Sequence, residues 1–132
     1  MKITVDTNLL IRVAVQDDKG QARQASKIFQ EAELIAVPLP VLCEFVWVLN
    51  RGYKKSTADI SNAIRCLMNC NNVVMNQLAV ESGLSIFEAG GDFADGVIAH
   101  EGNVLGAEEF VSFDKQAVSI LQRQGKSARL LS

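Results

Sequence analysis

Four acidic residues of this sequence stand where a folding chain would want apolar or neutral ones. Asp6 closes the run Ile3-Thr4-Val5, and Asp114 follows Phe110-Val111-Ser112-Phe113. Glu44 lies within Val41-Leu42-Cys43-Glu44-Phe45-Val46-Trp47-Val48-Leu49, and Asp95 within Phe93-Ala94-Asp95-Gly96-Val97-Ile98-Ala99. With Val41, Phe45 and Val48 around it, Glu44 is expected to share a buried helical face. Asp92, three residues before Asp95, shares its face or caps the start of its helix. Buried carboxylates without partners are rare outside functional or metal-binding sites.

If four such groups converge about 5 Å apart, each pair repels by roughly 3 kcal/mol at an effective dielectric near 20, and the total rivals the stability of a domain. Either some of the acids stay protonated or a divalent cation sits among them. Hard oxygen ligands with no histidine nearby favour Mg²⁺ or Mn²⁺ over zinc. The chemistry such a cluster serves is phosphodiester hydrolysis, in which the metal lowers the pKa of a bound water, orients it for in-line attack and stabilises the leaving oxygen. The competing reading is that Asp6 and Asp114 only cap helices, and that the other acids pair with the dispersed Arg12, Arg51 and Arg65. His100 is the single histidine and no G-x-S-x-G turn is present, so a nucleophile triad has little to build on.

The elements that must position these acids alternate between short β-branched runs and longer amphipathic stretches. Strands are expected at 2–5, 34–37, 72–75, 109–112 and 128–131. Helices are expected at 8–15, 19–32, from the Pro38/Pro40 start to about 50, 56–70, 77–87, 93–101 and 115–124, with a break at Ala89-Gly90-Gly91. Strands separated by helices predict parallel β-α-β units and an α/β fold with helices on both faces of one sheet. In such a sheet ligands bind beyond the carboxyl ends of the strands, which is where Asp6 and Asp114 fall.

With 132 residues, 48% of them hydrophobic, the chain suits one domain spanning 1–132. The longest apolar run, Leu34 to Leu42, is too short and too proline-marked to cross a bilayer, and the amino terminus has no secretory segment, so an unexported, cytoplasmic protein is expected. Three cysteines, Cys43, Cys66 and Cys70, imply packed, reduced thiols rather than a disulfide framework. Thirteen basic against fifteen acidic residues give a net charge of −2, with no global attraction for nucleic acid. Setting aside the five candidate ligands, the balance becomes +3, and a local basic surface is compatible with it. No G-x-G-x-x-G follows the first strand, which weakens a dinucleotide-binding reading. A phosphatase using Asp6 as nucleophile would lack a second acid at position 8, which is Asn8.

Val5-Asp6-Thr7-Asn8-Leu9-Leu10-Ile11 resembles the opening of PIN domains, specifically the VapC-type toxins. Pro40-Val41-Leu42-Cys43-Glu44-Phe45, Asp92-Phe93-Ala94-Asp95-Gly96-Val97-Ile98-Ala99 and Val111-Ser112-Phe113-Asp114 resemble the three later motifs, in order and across the whole chain. The resemblance implies a Mg²⁺- or Mn²⁺-dependent endoribonuclease with a PIN-like fold, a single parallel five-stranded sheet in the order 3-2-1-4-5. By motif position, Asp6, Glu44, Asp95 and Asp114 match the acidic quartet, Asp92 is an accessory or second-metal acid, and Asn8 and Ser112 match supporting polar positions. The sequence departs at Gly96, where the family often has alanine, loosening that helix by up to about 1 kcal/mol.

RNA contact is expected at Arg51-Gly52-Tyr53-Lys54-Lys55, where Arg51, Lys54 and Lys55 supply cations and Tyr53 a base-stacking ring. The family further implies structured RNA such as a tRNA as substrate and a homodimer. It also implies a small antitoxin that covers the active site, and operator DNA bound only through the antitoxin complex; the antitoxin is expected to supply an Arg or Lys to the carboxylate cluster, a cation in place of metal. The opposing hypothesis is a non-catalytic α/β binding or regulatory module whose acids serve capping and pairing alone.

Overall fold

In the computed structural model, which describes all 132 residues, β1 (Lys2–Thr4), β2 (Leu34–Ala36) and β3 (Val73–Val74) form a parallel sheet in the order β1-β2-β3. Ile3 is in register with Ile35, and Ile35 with Val73. The crossovers are α1 (Thr7–Ala14) and α2 (Lys19–Glu31), then α3 (Leu39–Trp47) and α4 (Thr57–Met68). A second parallel sheet pairs β4 (Phe110–Ser112) with β5 (Ala128–Leu130) through α7 (Lys115–Arg123), preceded by α5 (Gln77–Glu88) and α6 (Phe93–Val104). Backbone contacts divide the chain into two compact units, Met1–Asn76 and Gln77–Ser132.

The expected elements are all present and the strands are parallel, but the expected single five-stranded sheet is corrected to two sheets, of three and two strands. None of the five strands exceeds three residues, so each has few ladder hydrogen bonds with which to recruit a further neighbour. Within the two sheets the orders 3-2-1 and 4-5 are as expected.

The first unit is organised by side chains that end its helices. Asp6, Asp18 and Ser56 each accept a backbone N–H of the helix that follows, and Pro38 and Pro40 start α3 without needing their missing donors. Asn72 Nδ2 donates to the carbonyls of Phe29 and Ala32, satisfying the carboxyl end of α2 from the approach to β3. α3 buries Leu42, Phe45 and Val46, and the stripe continues to Leu49. Beyond Trp47 the chain widens into a π turn at Val48–Gly52, closed by Tyr53 N–H on the Val48 carbonyl, rather than remaining α-helical to about residue 50. Cys43, Cys66 and Cys70 form no disulfide, and Cys66 is exposed rather than packed.

In the second unit a close backbone approach locks α5 to α6. A Cβ on Gly96 would collide with the carbonyl oxygen of Ser82 and lie 2.7 Å from Gly83 Cα, and one on Gly83 would meet the Phe93 ring at 2.7 Å. The glycine that reads as a loosening of α6 is therefore what lets α6 rest on α5. Val118, Ile120 and Leu121 of α7 pack with Ile86 of α5 and Ala128 of β5.

Candidate active site

Asp6 follows β1 directly and caps α1, its Oδ1 accepting from Leu9 N–H at 3.0 Å. The next residue, Thr7, donates its hydroxyl to Glu44 Oε1 at 2.8 Å, so the first turn of α1 and the middle of α3 bring a pair of acids into one neighbourhood. Sequence reasoning missed Thr7, favouring the adjacent Asn8, which is exposed. The signal available was a hydroxyl beside a candidate ligand; which neighbour it faces depends on how α1 packs against α3. Glu44 itself is exposed, a correction to the buried face expected for it. The buried stripe is Leu42, Phe45, Val46 and Leu49, and Glu44 stands beside that stripe because an i+1 neighbour such as Phe45 lies about 100° around the helix.

The remaining three acids belong to the second unit. Asp92 caps α6, Oδ1 accepting from Ala94 N–H at 3.2 Å, and Asp95 sits in the same first turn. Asp114 caps α7, Oδ1 accepting from Gln116 N–H at 3.0 Å and Ala117 N–H at 3.1 Å. The Ser112 hydroxyl oxygen accepts Asp114 N–H at 2.9 Å, a local turn that precedes the cap. Gln116 Nε2 reaches back to the Gly90 carbonyl at 2.8 Å, tying the start of α7 to the loop that leads into α6. Asp95 is half-buried, and its carboxyl is held above the ordinary aspartate range, first by burial and then by the negative charges of Asp92 and Asp114.

Capping and ligation, which compete as readings of the sequence, prove compatible. Every cap bond at Asp6, Asp92 and Asp114 falls on Oδ1, leaving Oδ2 of each outside the cap. Within neither unit do three or more His, Cys, Asp or Glu side chains gather into a set that could hold a metal ion. The donor chemistry nevertheless suits a hard divalent cation: carboxylates and a hydroxyl. His100 stands apart from these acids, its Nδ1 3.4 Å from Ser82 Oγ, in a cavity of about 700 Å³ that is lined also by Leu78, Ile98 and Phe110 and by none of the five candidate acids.

The basic segment is split by the structure. Arg51, Lys54 and Lys55 are exposed, and Lys54 adopts a left-handed backbone with φ of 56°. Tyr53 is half-buried and its hydroxyl is engaged: it accepts from Arg12 Nη1 at 3.3 Å and donates to Asp17 Oδ2 at 3.1 Å. Arg12 also donates to Asp17 Oδ1 and Gln21 Oε1, so this tyrosine helps fix the turn between α1 and α2.

No helix of the structure is long and apolar enough to cross a membrane. No curated relative matches the chain. The family model of the PIN domain matches residues 3–120, a span containing all five candidate acids. The chain therefore belongs to the PIN domain family, whose members are generally metal-dependent nucleases.

Proposed function

We propose that this protein is a Mg²⁺-dependent endoribonuclease, the toxin of a type II toxin–antitoxin pair, acting on structured RNA such as a tRNA. The observation that carries this reading is the match of the PIN domain family over residues 3–120, a span that contains Asp6, Glu44, Asp92, Asp95 and Asp114. Asp6, Glu44, Asp95 and Asp114 would hold the cation, with Asp92 as an accessory ligand. Bound there, Mg²⁺ or Mn²⁺ supplies an activated water and charge stabilisation at the leaving oxygen.

The chain's own groups have distinct tasks on this reading. The helix caps hold Asp6 and Asp114 at fixed rotation, so that Oδ2 of each stays available. Thr7 orients Glu44, and Ser112 fixes the backbone at Asp114. Arg51, Lys54 and Lys55 neutralise backbone phosphates. The remaining expectations follow as parts of the same proposal: a single functional domain, a cytoplasmic homodimer, and a small antitoxin whose Arg or Lys stands in for the cation among the acids. Operator DNA is bound only through that complex.

The reading is tested by sequencing RNA 5′ ends after expression of wild type beside Asp6→Asn. New 5′ ends in the wild type alone, lost when EDTA is added to the purified protein, are expected. Cleavage by Asp6→Asn at the wild-type rate overturns the mechanism and leaves a binding module whose acids only cap.

A further inference from the structure

We propose that Trp47 and Phe113 are stacking platforms for unpaired bases of the RNA strand. The inference rests on the nuclease reading above and specifies which feature of an RNA substrate each unit grips. The chain has six phenylalanines, one tyrosine and one tryptophan. Phe45, Phe87 and Phe93 are buried, and Phe29, Phe110 and Tyr53 are half-buried. Only Trp47, 63% exposed, and Phe113, 74% exposed, leave their rings in water.

Both stand beside candidate acids. Trp47 follows Glu44 by three residues in α3, a spacing that makes the two neighbours on one helix face. Phe113 directly precedes Asp114, in a turn just past β4 that is closed by Asp114 N–H on Ser112 Oγ and followed by the Asp114 cap of α7. Each unit thus carries an acid, an open aromatic and a cation close together in the chain: Glu44, Trp47 and Arg51 in the first, Asp114, Phe113 and Lys115 in the second. The cations suit phosphates and the rings suit base faces, the combination by which proteins hold single strands. Tyr53, whose hydroxyl is bound to Arg12 and Asp17, fits this role less well. A duplex keeps its bases stacked on one another, so the class of RNA selected is single-stranded or looped.

Trp47 is the sole tryptophan, so its fluorescence reports directly. Titration of the full chain with a short oligoadenylate in EDTA, where cleavage is arrested, is expected to quench it saturably, with duplex RNA far less effective. Phe113→Ala is expected to weaken this binding about tenfold, and Phe113→Tyr to restore it. With Mg²⁺ present, Trp47→Ala and Phe113→Ala should raise KM for a looped RNA about tenfold with kcat little changed, while Trp47→Phe stays near wild type. Melting temperatures close to wild type are expected, both rings being exposed, and Phe113→Tyr and Trp47→Phe carry the comparison should an alanine variant unfold.

A chain that cleaves RNA with unquenched Trp47 and unaltered KM in the alanine variants overturns the platforms and leaves the nuclease standing. Quenching and weakened binding without any Mg²⁺-dependent cleavage sustains the platforms and removes the nuclease. Alanine variants that change self-association in sedimentation while RNA binding is unmoved assign the rings to a protein interface and overturn the proposal.

Discussion

The Thr7 hydroxyl donates to Glu44 Oε1 across 2.8 Å, joining the first turn of α1 to the middle of α3. The two residues are 37 positions apart, and both lie near the surface, where a hydroxyl–carboxylate bond adds little to stability. Its value lies in orientation. Thr7→Val is expected to leave the melting temperature within a few degrees of wild type and to lower kcat/KM for RNA cleavage by about ten- to a hundredfold, the range associated with a misplaced reacting group. Thr7→Ser, which keeps the donor, should recover most of the activity in the same assay.

Asp95 offers a pH dependence whose sign is fixed by its environment. Its carboxyl is raised by burial and by Asp92 and Asp114, so the folded protein holds this proton more tightly than the unfolded chain does. Over the interval between the ordinary aspartate value and the raised one, folding takes up a proton, and the contribution of Asp95 to stability falls as pH rises through it. Above that interval the ionised group opposes folding. In EDTA at neutral pH, Asp95→Asn is therefore expected to melt higher than wild type, with the difference vanishing as pH falls below the ordinary aspartate range. Added Mg²⁺ should raise the wild-type melting temperature more than that of the variant. Calorimetric scans across pH, with and without the cation, read both effects, and a variant less stable than wild type at neutral pH would contradict the assignment.

Gly96→Ala is expected to destabilise the fold by about 1–3 kcal/mol, the range for overpacked contacts. In an exposed helix the same change would stabilise by up to about 1 kcal/mol, so the sign itself is diagnostic. The reason is the Ser82 carbonyl, a backbone atom that cannot rotate out of the way. Denaturant titration decides the matter. Because α6 carries Asp92 and Asp95, any displacement of this helix should also lower cleavage.

What the sequence made legible follows from the range of the forces involved. Asp6, Asp92 and Asp114 announce helix starts because capping is local, spanning two or three residues. The strand at Leu34–Ala36 and the helix at Gln77–Glu88 follow from hydrophobic patterning of similar reach. Contacts between distant segments were not legible: Thr7 with Glu44, Gly96 with the Ser82 backbone, and Tyr53 with the Arg12–Asp17 pair. Apolar neighbours do not by themselves place Glu44 on the buried face, because the stripe Leu42, Phe45, Val46 and Leu49 runs past it. The division into two sheets turns on how far strands of three residues extend their pairing, which patterning does not encode.

The dual service of Asp114 allows its two roles to be separated experimentally. Its Oδ1 accepts two N–H groups at the start of α7, so Asp114→Ala is expected to cost about 1 kcal/mol, within a range of roughly 0.5–2, as those donors lose their acceptor. Asparagine caps about as well as aspartate, so Asp114→Asn should retain nearly all of the stability while removing the negative charge. On the proposed mechanism both variants lose cleavage by more than a hundredfold, and they differ only in urea midpoint. If Asp114 were a cap alone, activity would track stability, and the asparagine variant would cut RNA as wild type does. Measuring midpoint and cleavage on the same two preparations decides between these outcomes. The same comparison at Asp6, whose Oδ1 accepts a single N–H from Leu9, should show a smaller stability difference with an equal loss of cleavage.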